Sequence, residues 1–125
     1  MAFAGAVRKV AGMPVMVTGG FRSVAGMVEA LEGGDLDVVG LARPLIADPQ
    51  APRRVLAGEM DRLLSPEAML NVFHIPTWNS VQIERLGDGL DPDLSLTGEA
   101  AMAAFVEAEG RNMKALLDRR GRRAA

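Results

Sequence analysis

Apolar positions fall into short blocks punctuated by glycine and proline, and the spacing inside each block changes along the chain. From Ala2 to Ala11, Phe3, Val7 and Val10 recur at helical spacing, and Gly12 and Pro14 end the stretch. Val15, Met16 and Val17 form a continuous apolar run, too short for an ordinary helix and suited to a strand covered on both faces. Gly19-Gly20 closes that run. Ser23 is placed to cap a helix through Leu31, in which Val24, Met27, Val28 and Leu31 form one stripe. Gly33-Gly34 stands where such a helix stops, and Val38 and Val39 make the next strand. Because the connection contains a helix, the spacing predicts two parallel strands with a right-handed crossover.

Past Arg43, Pro44 suits the first turn of a short helix, Asp48-Pro49 breaks it, and Pro52 to Ala57 reads as a further helical piece ending at Gly58. Ser65-Pro66-Glu67 predicts a helix over Glu67 to Phe73, and Gly87 to Pro92 reads as a loop. Thr97 caps a longer final helix with Glu99 near its positive end. Met102, Phe105, Val106, Met113, Leu116 and Leu117 form its stripe, interrupted by Glu109, which faces either a partner or a gap in the core. The tail Arg119-Arg120-Gly121-Arg122-Arg123 is expected to fray.

Composition narrows the function classes. At 125 residues and 49% hydrophobic content, the chain suits one modest core and falls far short of the roughly 250 residues of an eight-stranded α/β barrel. A net charge of −2 gives no general attraction to nucleic acid or anionic membrane. The arginine-rich tail lacks aromatic interleaving, so no nucleic-acid partner is expected. The absence of cysteine excludes disulfides, thiolate metal sites and a cysteine nucleophile, and fits a reducing cytoplasm. No segment approaches the roughly 20 apolar residues that span a bilayer. At the start, Arg8 and Lys9 follow the apolar stretch rather than precede it, the reverse of a secretory signal. A soluble, cytoplasmic protein is expected.

The chemistry concentrates at the carboxyl ends of the two predicted strands. Gly19 and Gly20 leave backbone N–H groups uncovered by any Cβ, and the helix beginning near Ser23 adds the positive end of its dipole. On the neighbouring strand Gly40 and Ala42 keep the backbone approachable, while Arg43 offers a guanidinium fork to phosphate oxygens. Pro44 then turns the chain into a short helix. The loops after the last two strands of an α/β barrel commonly bind a phosphate in this way. Taken singly, a Gly-Gly pair is a turn and an arginine is a solvated charge; the equivalent placement on consecutive strands is what points to an anion. His74 reads as a structural or surface histidine, Trp78 as a packing residue, and Asp35 and Asp37 lack a paired acid. No metal site is expected.

Met13-Pro14-Val15-Met16-Val17-Thr18-Gly19-Gly20-Phe21-Arg22, together with Asp37-Val38-Val39-Gly40-Leu41-Ala42-Arg43-Pro44-Leu45-Ile46-Ala47-Asp48-Pro49, resembles the closing strands of the old yellow enzyme family. These are FMN-dependent NADH:flavin oxidoreductases with an α/β barrel fold. The likeness is dense from about Ala2 to Gly58 and thinner beyond, where Trp78 to Gly89 looks like the C-terminal extension of some members. Ala42 stands where many relatives have glycine. The resemblance implies a partial TIM barrel, the last two βα units (strands 7 and 8) over residues 1–60, with a helical extension of the same domain over 61–125. It also implies that the flavin phosphate sits between backbone N–H groups of Gly19 and Gly20 and those of Ala42 and Arg43, with the Arg43 side chain nearby.

The family's substrate-anchoring pair and proton-donating tyrosine come from earlier strands, and this chain has no tyrosine. No catalytic residue is therefore assigned. The expectation is a C-terminal fragment of an FMN-dependent, NAD(P)H-using ene-reductase-like enzyme that supplies the phosphate loops and is inactive unless completed. The alternative is a non-catalytic half-barrel module that self-associates or docks onto a completing chain, since two parallel strands leave both sheet edges open. A different phosphate-binding barrel enzyme is a third reading, disfavoured by the Ala-Arg-Pro-Leu and Asp-Pro pattern.

Overall fold

The computed structural model describes residues 2–124. The chain divides into two compact units, Met1–Ser65 and Pro66–Ala125.

The first unit runs α1 (Ala2–Val10), β1 (Met16–Thr18), α2 (Val24–Glu32), β2 (Val38–Gly40), α3 (Arg43–Ala47) and α4 (Ala51–Leu56). The strands pair in parallel, with Met16 opposite Val38, Val17 opposite Val39 and Thr18 opposite Gly40. Phe21, Met27, Ala30, Leu36, Ala51 and Leu63 form the core, and Val17, Val39, Leu41, Val55 and Met60 pack against it. Ser23 caps α2, its Oγ accepting from the Gly26 N–H at 3.3 Å. The buried face of α2 is Met27 and Ala30, whereas Val28 and Leu31 of the expected stripe are exposed. Strands of three residues can cover only a narrow stripe of the helix.

One carboxylate ties the start of the sheet together. Asp37 accepts the Val15 N–H at 2.8 Å, and its own N–H donates to the Val15 carbonyl at 2.9 Å. Arg8, near the end of α1, grips the same carboxylate, its Nε at 2.8 Å. The Val15 N–H above all, helped by Arg8, holds the Asp37 carboxyl below its ordinary range.

The partial TIM barrel expected from the resemblance is not what the chain forms. The protein is 58% helical, and among the described residues there are only two short parallel strands, which make a small α/β domain. The cause is local. Each strand is three residues long, and the segment that follows α4 does not supply another strand to the sheet. It returns instead to α2, where Arg62 bridges Ser23 in antiparallel fashion and Leu63 enters the core. Such a sheet has neither the strand length nor the stagger that barrel closure demands.

In the second unit the helix expected over Glu67 to Phe73 shrinks to a 3-10 turn, Pro66–Met69. Asn71 ends it, its Oδ1 accepting from the Phe73 N–H at 3.0 Å, a side-chain bond that competes with helix continuation. α5 (Ile75–Gly87), which the apolar spacing did not announce, follows a proline in its first turn. It packs against α6 (Gly98–Ala124). Trp78 is 1% and Gln82 0% exposed, and both reach from α5 into the connecting loop. The Trp78 indole N–H donates to the Leu96 carbonyl at 3.0 Å. Gln82 donates to the Asp93 carbonyl at 2.7 Å and accepts the Asp93 N–H at 2.8 Å. α6 does not fray at Arg119 to Arg122 but stays helical through them, with Ala101 and Ala108 buried and residues 109–122 exposed.

Two stability outcomes follow from these ties. A carboxyl whose folded pKa lies below its unfolded value of 3.8 stabilises the fold above that value and stops doing so as pH falls through the folded pKa. Asp37→Asn is therefore less stable than the natural chain near neutral pH, and thermal melts at descending pH show the gap closing in acid; a gap independent of pH contradicts this. Gln82→Leu strands both backbone groups of Asp93 and lowers the stability of this unit by about 1–3 kcal/mol, read from the urea midpoint.

Candidate functional site

The register of the two strands decides where their following loops begin. With Thr18 opposite Gly40, both segments leave the sheet at the same level and on the same side. Gly40 is buried, and a Cβ there would collide with the Thr18 side chain, so glycine is what lets the strand ends approach. Gly19 and Gly20 then turn away with φ of 132° and 79°, values that side-chain-bearing residues rarely adopt. A Cβ on either would meet nothing within 4 Å. The constraint at these two positions is backbone conformation, not space.

Thr18, Gly19, Gly20, Phe21, Arg22, Gly40, Leu41, Ala42, Arg43 and Pro44 line one hollow of about 30 Å³. The four residues singled out from the sequence, Gly19, Gly20, Ala42 and Arg43, are thus brought together. Since one water needs roughly 10–15 Å³, the hollow has room for two or three oxygen atoms and none for a fused ring system. Its lining holds two arginines and no carboxylate. Among the described residues, no turn or loop hydrogen bond uses the N–H of Gly19 or Gly20.

Arg22 is the lining residue that the sequence reading passed over. Its Nε donates to Ser65 Oγ at 2.6 Å and one terminal nitrogen donates to the Phe21 carbonyl at 2.7 Å, which fixes the guanidinium beside the glycine turn. The signal was a second arginine two residues after the Gly-Gly pair. Arg43 is exposed at the first position of α3, behind Ala42, whose φ of −128° and ψ of −82° turn the chain out of the strand.

The N-terminus of α2 contributes less than its position promised. Its Val24 N–H donates to the Asp61 carbonyl at 2.9 Å and its Gly26 N–H to Ser23 Oγ. Leu63 N–H in turn takes the Arg22 carbonyl at 2.7 Å. The returning segment 61–63 therefore occupies the cap region, which leaves the glycine turn, and not the start of α2, as the backbone part of the hollow.

A larger hollow of about 420 Å³ lies in the second unit, lined in part by His74, Trp78, Ser95, Thr97 and Glu99. Its hydroxyls are already engaged: Ser95 Oγ donates to Asp93 at 2.6 Å, and Thr97 Oγ1 accepts the Ala100 N–H at 3.2 Å as the cap of α6. His74 Nδ1 stands 4.0 Å from Glu99, and its ring covers the face of Gly98 where a Cβ would otherwise sit. These groups hold the start of α6. Among the described residues there is no group of three His, Cys, Asp or Glu side chains fit for a metal ion, and no helix is long and apolar enough to cross a membrane.

No family model and no curated protein matches the chain.

The close approach of the strand ends is open to a direct check. Gly40→Ala drives a methyl into Thr18 and is expected to lower stability by about 1–3 kcal/mol in chemical denaturation. Gly12→Ala, whose added Cβ meets nothing within 4 Å, serves as the neutral control. Equal midpoints for the two variants contradict the packing described.

Proposed function

We propose that the hollow at the strand ends holds a terminal phosphate, and that the phosphate is that of FMN. The observation that carries this reading is the convergence of the glycine turn and the Ala42-Arg43 corner on one small, two-arginine, carboxylate-free hollow. A phosphate seated there would take hydrogen bonds from the N–H groups of Gly19 and Gly20, and the Arg22 and Arg43 guanidinium groups would balance its two negative charges near neutral pH. Arg22 is already held in place by Phe21 and Ser65, so little side-chain freedom is lost on its account when the anion arrives. FMN is favoured over other phosphates by the likeness of the two strand-end segments to the old yellow enzyme family.

In that role the chain positions the cofactor and does not perform acid–base chemistry. FMN held by its phosphate at Gly19, Gly20, Ala42 and Arg43 would supply hydride-transfer chemistry, with NAD(P)H as reductant and an activated alkene or similar group as acceptor. The hollow admits only the phosphate end, so the ring and the substrate need walls from another chain. A completing partner in the cytoplasm is part of the proposal, as is a non-catalytic module that docks or self-associates. Exposed Met16 and Val38, on strands whose outer edges carry no neighbour among the described residues, favour such docking.

Titration of FMN into the purified chain, followed by flavin fluorescence, is expected to show weak binding that inorganic phosphate competes away. Arg43→Ala weakens it roughly tenfold, the loss of a charge-assisted bond, and riboflavin, which lacks the phosphate, fails to bind. Equal affinity for riboflavin, or an unaffected Arg43→Ala variant, sinks the reading.

A further inference from the structure

The second half of α6 is a helix without a floor. Residues 109–122 are all exposed, and a free helical segment of this length is marginal in water. Yet Val106, Met113, Leu116 and Leu117 form an apolar stripe along it, 62%, 57%, 43% and 57% exposed. Val106, Glu109, Met113, Leu116 and Arg120 follow the alternating three- and four-residue spacing of a coiled-coil seam. The polar flanks are mostly satisfied within the chain. Arg111 pairs with Glu107 at 2.8 Å and approaches Glu84 at 3.9 Å, and Lys114 pairs with Asp118 at 3.3 Å. The two charges that interrupt the seam are different: among the described residues, neither Glu109 nor Arg120 makes a side-chain hydrogen bond or ion pair.

We propose that α6 pairs with α6 of a second copy of this chain, antiparallel, about a twofold axis crossing between Lys114 and Ala115. That register sets Met113 of each helix opposite Leu116 of the other, with Leu117 alongside. It sets Glu109 of each opposite Arg120 of the other, giving two symmetric ion pairs at the ends of the apolar centre. A parallel pairing in register is excluded by the same residues, because it places Glu109 against Glu109 and Arg120 against Arg120. Charge complementarity along one seam thus selects both the occupant and its direction. The seam spans roughly 21 Å of helix from Val106 to Arg120, from the rise per residue. This surface is independent of the phosphate hollow, and failure of FMN binding has no bearing on it.

Sedimentation equilibrium of the full chain is expected to show a monomer–dimer equilibrium that weakens with salt. Glu109→Arg and Arg120→Glu each raise the dissociation constant roughly tenfold, from two attractions replaced by two repulsions. The double variant Glu109→Arg/Arg120→Glu restores dimerisation, with circular dichroism confirming unchanged helix content throughout. Because the chain has no cysteine, direction is read by oxidation. Glu109→Cys chains mixed with Arg120→Cys chains cross-link, while Glu109→Cys chains alone do not. A chain that stays monomeric, a dimer indifferent to both charge reversals, or self-cross-linking of Glu109→Cys overturns the proposal.

Discussion

A single carboxylate sets the geometry on which the first unit depends. Asp37 takes the Val15 N–H and the Arg8 guanidinium at once, at 2.8 Å each. It thereby pins the end of α1, the approach to β1 and the start of β2 at one point. Two strands of three residues have little ladder of their own to resist slipping, and a slip of one residue reverses every side chain. With the start of the sheet fixed, Thr18 must fall opposite Gly40, and the glycine turn and the arginine corner must emerge level with each other. The composition of the hollow is therefore determined at the far end of the sheet.

Much of that unit was legible from residue types. Ser23 as cap, the glycine pair after the helix, the two apolar runs and the parallel pairing all follow from local rules that tertiary packing had no reason to override. The carboxyl-end location of Gly19, Gly20, Ala42 and Arg43 was legible for the same reason, since strand direction and loop position are linked. The larger architecture was not. The segment after α4 has no pattern that says it will cross back to Ser23 and bury Leu63, and this return, together with strands of three residues each, gives a small α/β domain in place of a barrel. Arg22 was missed because its usefulness depends on Ser65, more than forty positions away in sequence, a contact that local spacing cannot encode. α5 was missed because its buried face is made by Thr77, Trp78 and Gln82, two of them polar, so the apolar periodicity that marks most helices is absent.

Polar side chains hold the second unit together in a similar way. Gln82 and Trp78 satisfy backbone groups of the loop between α5 and α6, and Ser95 and Thr97 close the remaining turns. On α6 the hydrophobic residues buried are small, Ala101 and Ala108. Burying a glutamine is tolerated because both ends of its amide are bonded, and the same bonds give the loop one conformation. Beyond Ala108 no residue up to Arg122 is buried, and the helix carries its apolar seam exposed.

Trp78 is the chain's sole tryptophan, and there is no tyrosine. Intrinsic ultraviolet emission therefore arises from one indole, sealed beside Leu96 in the second unit. The βαβ unit has no native chromophore beyond phenylalanine and is optically dark in such an experiment. Melting curves from emission and from backbone dichroism sample different parts of the molecule, so their coincidence or separation is itself a measure of whether the two units unfold as one cooperative body.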